Sequence, residues 1–348
     1  MTASPFFDTH CDTVLRVLDW GSDFADGSCE THLDWPRMHE AGVRAQVFAC
    51  FVLDERYPGQ VEERTSALLD AFDAMLTSTD GGLRLARTRA DVDCAFGNGP
   101  GAAILGLEGA DPLGRRAENV HRFFARGVRD LIFAWHDNVF SGTAFGKDSP
   151  LTAEGERLLG LCEELGIMID VSHLSDQAFQ DVVERSTKPF IASHSNCRAI
   201  CPSPRNLTDE MIRELADRGG VMGINLSSSF LSTKTLSHWQ DVKKRFAGQT
   251  LSWQEKERLA REIAPTVPRP PFEVIVTHVK HAIDVGGEDC VGLGGDLDGI
   301  VHMPEGMDGV QDYPRIAEAL LAAGLGEAQV AKVCHENMRR VFLDVLPA

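Results

Sequence analysis

Short apolar runs punctuate the chain at 5–9, 43–52, 102–108, 128–134, 167–172, 189–193, 220–226 and 291–296. Most are apolar on both faces rather than alternating, the pattern of strands covered on both sides in a parallel sheet. Stretches of helical period lie between them. In 156–165, Leu158, Leu159, Cys162 and Leu165 share one face, and Gly166 supplies the stop. Thr208 stands as an N-cap before Asp209 and Glu210, whose charges suit the positive end of a helix dipole. Met211, Ile212 and Leu215 form the apolar face of that helix, and Gly219 ends it. The segments 61–77, 116–126, 176–186 and 272–285 read the same way. Eight strand-then-helix units predict an α/β fold, a closed (β/α)8 TIM-type barrel, although counting units leaves a doubly wound sheet open.

Two regions break this rhythm. Within 53–101, residues 84–95 predict a short strand or helix outside the eightfold pattern. The longest departure is 227–271, an insertion after the seventh strand. It is polar and charged, holds Trp239 and Trp253, and has helical character at 252–263. Its apolar anchors predict a lid or a dimer contact rather than disorder. No repeats or linkers appear, so 1–348 is read as one domain.

Composition narrows the partners. The chain has 348 residues, 43% hydrophobic and 25% charged, which is ordinary globular usage. A net charge of −18 repels phosphate backbones and argues against a nucleic-acid partner. No apolar run approaches the roughly 18 residues a membrane span needs. The opening Met-Thr-Ala-Ser-Pro-Phe-Phe-Asp lacks a basic segment followed by an apolar one. We therefore expect a cytoplasmic protein with no membrane partner, and we read the nine scattered cysteines as reduced thiols. Cys197 and Cys201 are taken as packing residues rather than a zinc knuckle.

The chemistry gathers where the predicted strands end, the face on which barrels of this kind build their sites. The first run leads into His10 and Asp12; on a strand, residues two apart point the same way and can close on one metal ion. The third ends in Glu108, a carboxylate after an apolar strand that burial would penalise unless it were paired or metal-bound. The fourth runs into Trp135, His136, Asp137 and Asn138. The fifth and sixth end in His173 and His194, whose neutral imidazoles suit zinc. The eighth ends in Asp296, flanked by Gly294, Gly295 and Gly299. This set predicts two metal ions about 3.5–4 Å apart, with Glu108 between them and a water or hydroxide bridging. Asp296 is the stronger choice for general base, with Asp298 anchoring the turn; the reverse assignment stays open. Arg205, on a proline-stiffened loop, could take a carboxylate in a two-pronged grip or could simply face solvent.

In this order the motifs resemble the renal (membrane) dipeptidase family, zinc peptidases of the amidohydrolase-like, metal-dependent hydrolase barrels. The matching stretches are Asp-Thr-His10-Cys-Asp12-Thr, Gly-Leu-Glu108-Gly, Asp-Val-Ser-His173-Leu, Ala-Ser-His194-Ser-Asn, Pro-Arg205-Asn-Leu-Thr and Gly-Leu-Gly-Gly-Asp296-Leu-Asp-Gly. The resemblance implies a metal-dependent dipeptidase with two zinc ions per chain. His10, Asp12 and Glu108 would hold one zinc, and Glu108, His173 and His194 the other. It further implies Arg205 for the substrate carboxylate, Asp296 for proton transfer, tolerance of L-Xaa-D-Xaa dipeptides and a homodimer. Two positions depart from the family. Where the family carries a histidine after strand four, this chain has Trp135, so either His136 takes over the contact or Trp135 shapes a different pocket, with Asn138 close by. Leu297 stands where an aromatic is usual. Two rivals remain: the same metal site acting on another small amide, which the Trp135 departure motivates, and a barrel kept as a binding or scaffold protein.

Overall fold

The eight apolar runs become eight of nine parallel strands among the described residues, which in this computed structural model are 5–27, 31–245 and 253–348. They are β1 (Phe6–Cys11), β2 (Val43–Phe51), β3 (Leu83–Leu85), β4 (Gly101–Glu108), β5 (Val128–Ile132), β6 (Met168–Asp170), β7 (Ile191–Ala192), β8 (Val221–Ile224) and β9 (Val291–Leu293). Eight follow in the order β2-β1-β9-β8-β7-β6-β5-β4. β4 then returns to β2, in register from Ala45↔Ala102 to Phe51↔Glu108, and closes a (β/α)8 barrel. β3 lies outside this ring and pairs only with the start of β4. With the helix Arg89–Ala95 it accounts for the irregular 84–95 segment.

The helices follow the sequence signals closely. Val61–Thr77 and Ala153–Leu165 stand where the period places them, the second closed by Gly166 in the left-handed region at φ 75. The Thr208 side chain accepts from Met211 N at 3.2 Å, as an N-cap does. β6 and β7 are shorter than their apolar runs, because the backbone leaves the ladder early to turn polar side chains into the barrel mouth. His173 does so with φ 73, a strained conformation for a non-glycine residue. At the opposite mouth, strand-start residues including Phe7, Val47, Ile104 and Val221 pack with Met338, Val341 and Phe342 of the helix Asn337–Val345. That helix plugs the barrel floor, so only the C-terminal mouth is open to chemistry.

The insertion after β8 holds the helices Ser228–Leu231, Thr233–Arg245 and Trp253–Ile263. The Trp239 ring centroid lies 6.4 Å from that of His302; residue 252 and the Trp253 side chain fall outside the described residues.

Candidate metal centre at the barrel mouth

β1 carries its ligand pair straight out of the ladder. Asp296 N donates to His10 O at 3.0 Å and Asp12 N to Leu297 O at 2.8 Å, so the segment after β9 wraps the end of β1. His10 Nε2 lies 3.7 Å from Asp12 Oδ2 and 3.6 Å from Glu108 Oε2. The other Glu108 oxygen, Oε1, is 3.0 Å from His173 Nε2 and 3.9 Å from His194 Nε2, and those two nitrogens are 3.0 Å apart. Glu108 thus faces a histidine–aspartate pair with one oxygen and a histidine pair with the other. All five side chains are buried.

The donor set fits divalent metal. Neither nitrogen of His10 has a hydrogen-bond partner, nor has Asp12 Oδ1; such buried polar atoms are costly unless something binds them. His173 is driven down to about 3 by burial, with Arg205 adding to the effect, and burial also pushes His194 well below its ordinary range. Both are therefore neutral imidazoles with lone pairs to offer. Burial opposes charge on His10, yet the Glu108 and Asp12 carboxylates outweigh it and hold its pKa well above the ordinary value. A cation among these groups would take over the role that this proton fills. Donor atoms of His10, Glu108 and His194, and of His10, Asp12 and Asp296, each fall within 4.8 Å of one another.

A layer of buried acids, outside the sequence motifs named above, braces this cluster. Asp8 Oδ1 accepts from His10 N at 2.9 Å and from Gln46 Nε2 at 3.0 Å, while Oδ2 takes Gly295 N at 2.9 Å and the Tyr313 hydroxyl. Asp170 Oδ1 accepts from Ser172 N at 2.9 Å and Ser193 N at 3.0 Å, joining the ends of β6 and β7 just before His173 and His194. Ser193 Oγ meets His194 Nδ1 at 2.7 Å and so turns Nε2 toward the cluster. The signal was an acid inside an apolar run, in Phe-Phe-Asp8-Thr-His and Ile-Met-Ile-Asp170-Val-Ser-His.

Asp296 and Asp298 divide their work. Both have positive φ, 57 and 69. Asp298 accepts from Thr13 Oγ1 and His32 N, each at 2.7 Å, and so ties down the turn. Asp296 faces the cluster. Its Oδ2 accepts from Asn225 Nδ2 at 2.9 Å, and burial raises it to about 7, with the Asp12 and Glu108 charges adding to the rise. Asn225 is itself fixed by Asn196, which takes its N–H and donates to its carbonyl. A Cβ on Gly299 would intrude on both Asp12 Oδ2 and Asp296 Oδ1, so only glycine allows these carboxylates their positions.

Arg205 is 3% exposed. It makes only long bonds, Nη1 to Ser195 Oγ and Nη2 to His194 O, both at 3.4 Å, and Nε has no partner. Burial lowers it to about 10, so it stays charged at neutral pH with most of its planar fork uncommitted. After β5 the neighbours separate. Trp135 turns to the cluster, its ring centroid 5.7 Å from His173 and 5.0 Å from Phe51. His136 turns to Asp111, 3.7 Å away, and does not join the cluster. Asn138 is committed to its own loop: Nδ2 donates to Phe133 O at 2.9 Å, and Oδ1 accepts from Phe140 N at 2.9 Å and Ser141 N at 3.2 Å.

Known proteins agree with this picture. The family model for membrane dipeptidase (peptidase family M19) matches residues 1–346. An uncharacterized protein in the pqqA 5′ region of Klebsiella pneumoniae is 32% identical over 279 residues, covering 78% of this chain and 92% of that protein. Among solved structures, the dipeptidase AC, a metallopeptidase of family M19, is 29% identical with a TM-score of 0.83, covering 99% of this chain and 100% of that one. A metallopeptidase from Rhodobacter sphaeroides, liganded with a phosphinate mimic of the dipeptide L-Ala-D-Ala, is 28% identical, also with a TM-score of 0.83, and covers 99% of each chain. The barrel, the donor cluster at its mouth and these likenesses converge: the chain belongs to the membrane dipeptidase family and is a metal-dependent dipeptidase.

Proposed function

We propose that this chain is a binuclear zinc dipeptidase acting on short, free-ended dipeptides, L-Xaa-D-Xaa among them. The observation that carries the reading is the junction of two features: four buried donors converge with Glu108, and beside them lies a buried guanidinium whose fork makes only long bonds. His10, Asp12 and Glu108 would hold one ion, and Glu108, His173 and His194 the other. When bound, such a pair supplies Lewis acidity toward a carbonyl and lowers the pKa of a water.

The chain's own groups supply position and proton traffic. Arg205 receives the C-terminal carboxylate through Nη1, Nη2 and Nε, which sets the scissile carbonyl at a fixed distance and disfavours long peptides. Asp296 holds one oxygen on Asn225 and keeps Oδ1 for the proton, which it takes from the attacking water and returns to the leaving amine. Trp135 covers His173 on the β5 side and excludes water there. The eight free cysteines among the described residues fit a reducing cytoplasm.

Trp135 also sustains a second reading, in which the same centre cleaves another small amide such as an N-acyl amino acid. The test is turnover of matched L-Xaa-L-Xaa, L-Xaa-D-Xaa and N-acyl substrates on protein whose zinc is counted in the same sample. About two zinc ions per chain with chelator-sensitive dipeptide cleavage supports the first reading. Two ions with cleavage of N-acyl substrates alone moves the assignment to the second.

A further inference from the structure

Asn196, Asn206 and Asn225 are buried together at the barrel mouth. Asn196 lies two residues past His194, Asn225 directly follows β8, and Asn206 is the neighbour of Arg205. A buried side-chain amide must find partners for both of its ends. Here backbone groups take nearly all of that capacity. Asn206 Oδ1 accepts from Asn196 N at 3.2 Å, and its Nδ2 donates to Cys201 O and Phe230 O, both at 2.8 Å. Asn196 grips the Asn225 backbone with both ends: Oδ1 accepts from Asn225 N at 3.0 Å, and Nδ2 donates to Asn225 O at 2.9 Å. Asn225 Oδ1 accepts from Ser227 N at 2.7 Å, which turns its amide nitrogen toward Asp296 Oδ2, 2.9 Å away. No amide in this series can turn over without breaking a bond to the backbone.

The series joins two functional ends. Arg205 stands at one, on a loop laced to the segment after His194: Leu207 N donates to Asn196 O and Arg198 N to Leu207 O, both at 2.8 Å. Asp296 stands at the other. The ends also share an acceptor, because His194 O takes Arg205 Nη2 at 3.4 Å and Asn225 Nδ2 at 3.3 Å. A buried polar network with its partners in place is rigid. Side-chain amides, rather than the stiffness of the loops alone, therefore set the spacing between the guanidinium and the Asp296 carboxylate.

We propose that Asn206, Asn196 and Asn225 are positioning residues that act as a ruler. They hold Arg205 and Asp296 at the spacing of one α-amino acid and so select a C-terminal α-residue over a longer one. The inference rests on the proposed roles of Arg205, which grips the C-terminal carboxylate, and Asp296, which serves the leaving amine. In a dipeptide a single Cα joins those two groups. A β-amino acid there carries the same carboxylate and the same amine but adds one C–C bond of about 1.5 Å. Charge and hydrogen bonding cannot tell the two apart; only distance can. Misplacement by about 1 Å costs on the order of 10²-fold in rate, so a rigid spacing turns one methylene into a large preference.

The test measures kcat and KM of the zinc-loaded enzyme for L-Ala-Gly and L-Ala-β-Ala, which differ by that methylene alone. The wild type should favour L-Ala-Gly by about 10²-fold in kcat/KM. In Asn196→Ala, kcat for L-Ala-Gly should fall by about tenfold while KM moves less than about threefold, since Arg205 keeps its grip. Zinc content should hold, and the preference for L-Ala-Gly should shrink several-fold. Asn196→Asp keeps the acceptor for Asn225 N and the volume but loses the donor. It should act in the same direction, and it replaces the alanine variant should that chain fail to fold. A merely structural role would lower Tm and the active fraction, scaling both substrates alike and leaving the preference untouched. A wild-type ratio near one, or an unchanged ratio in a folded variant holding two zinc ions, overturns the ruler and leaves the dipeptidase reading standing. No cleavage of any dipeptide by wild-type enzyme holding two zinc ions overturns both.

Discussion

Replacing Gly299 with alanine isolates the geometry of the proposed metal centre from everything else in the barrel. Gly299 follows the Asp296 turn, and its N–H donates to Asp296 O at 3.2 Å. Its φ lies outside the left-handed region, so the added methyl strains no backbone. The methyl would instead push into Asp12 Oδ2 and Asp296 Oδ1, and restoring an ordinary approach of about 3.4 Å makes each carboxylate retreat by at least about 1 Å. Ligand distances tolerate only about 0.2 Å, so the Asp12 side of the centre should lose affinity by about 10²-fold or more. Catalytic groups displaced by about 1 Å lose on the order of 10²-fold in rate. Gly299→Ala should therefore cut kcat/KM by about two orders of magnitude and lower zinc occupancy toward one per chain, with Tm little changed in the chelated protein. The control is Gly160→Ala, inside the helix Ala153–Leu165 with no atom within 4 Å of the new methyl. That change should leave activity intact and raise stability by about 0.5–1 kcal/mol. Full activity and two tightly held zinc ions in Gly299→Ala would refute the placement of Asp12 and Asp296 in the reacting centre.

Other perturbations separate the remaining parts. Arg205→Met should raise KM for dipeptides by about 10²-fold with a smaller effect on kcat. Because it removes a buried charge held only by long bonds, it should not lower Tm; a KM unchanged in steady-state kinetics would remove Arg205 from substrate binding. Asp170→Ala orphans two buried backbone N–H groups and should cost about 2–4 kcal/mol in urea unfolding of the chelated protein while weakening zinc affinity through His173 and His194. Unaltered zinc affinity would limit Asp170 to stability. His278 is buried, its Nδ1 accepting from Cys197 N at 3.1 Å and its Nε2 donating to Leu231 O at 3.0 Å, and burial lowers it to about 4. The folded state refuses a proton that the unfolded chain accepts below about 6.5. The His278 contribution to stability should thus be flat above that pH and fall by up to about 1.4 kcal/mol per unit between pH 6.5 and 4. Chemical unfolding of the chelated protein should show this slope shrinking in His278→Gln, and identical slopes would refute it.

Much of this was legible in the sequence because strand ends in a barrel converge wherever the strands themselves are recognised. Apolar runs located all eight barrel strands, and the polar residues at or just past their ends, His10, Asp12, Glu108, His173, His194 and Asp296, come together at one mouth of the barrel, where the later loop also brings Arg205. The failures have a common cause. Periodicity describes a side chain's own element, not what a neighbouring strand hands to it. The bracing by Asp8 and Asp170 depends on backbone N–H groups from β9 and β7, far away in sequence. Which of Trp135 and His136 faces the cluster depends on one step of backbone rotation after β5, which no pattern encodes. Asn138, expected near substrate, has both ends of its amide taken by its own turn.

The ring is sealed by β1 against β9, where Thr9 Oγ1 reaches Leu293 O across 284 residues of chain. The floor plug, Met338 to Phe342, is later still. On a ribosome, His10 and Asp12 emerge long before Asp296 and must wait for it. Folding of this kind has a high contact order and is slow. A nascent chain offers at most a fragment of the centre, so tight metal capture has to wait for barrel closure, and a chain truncated before Asn337 should lack both a closed barrel and its metal.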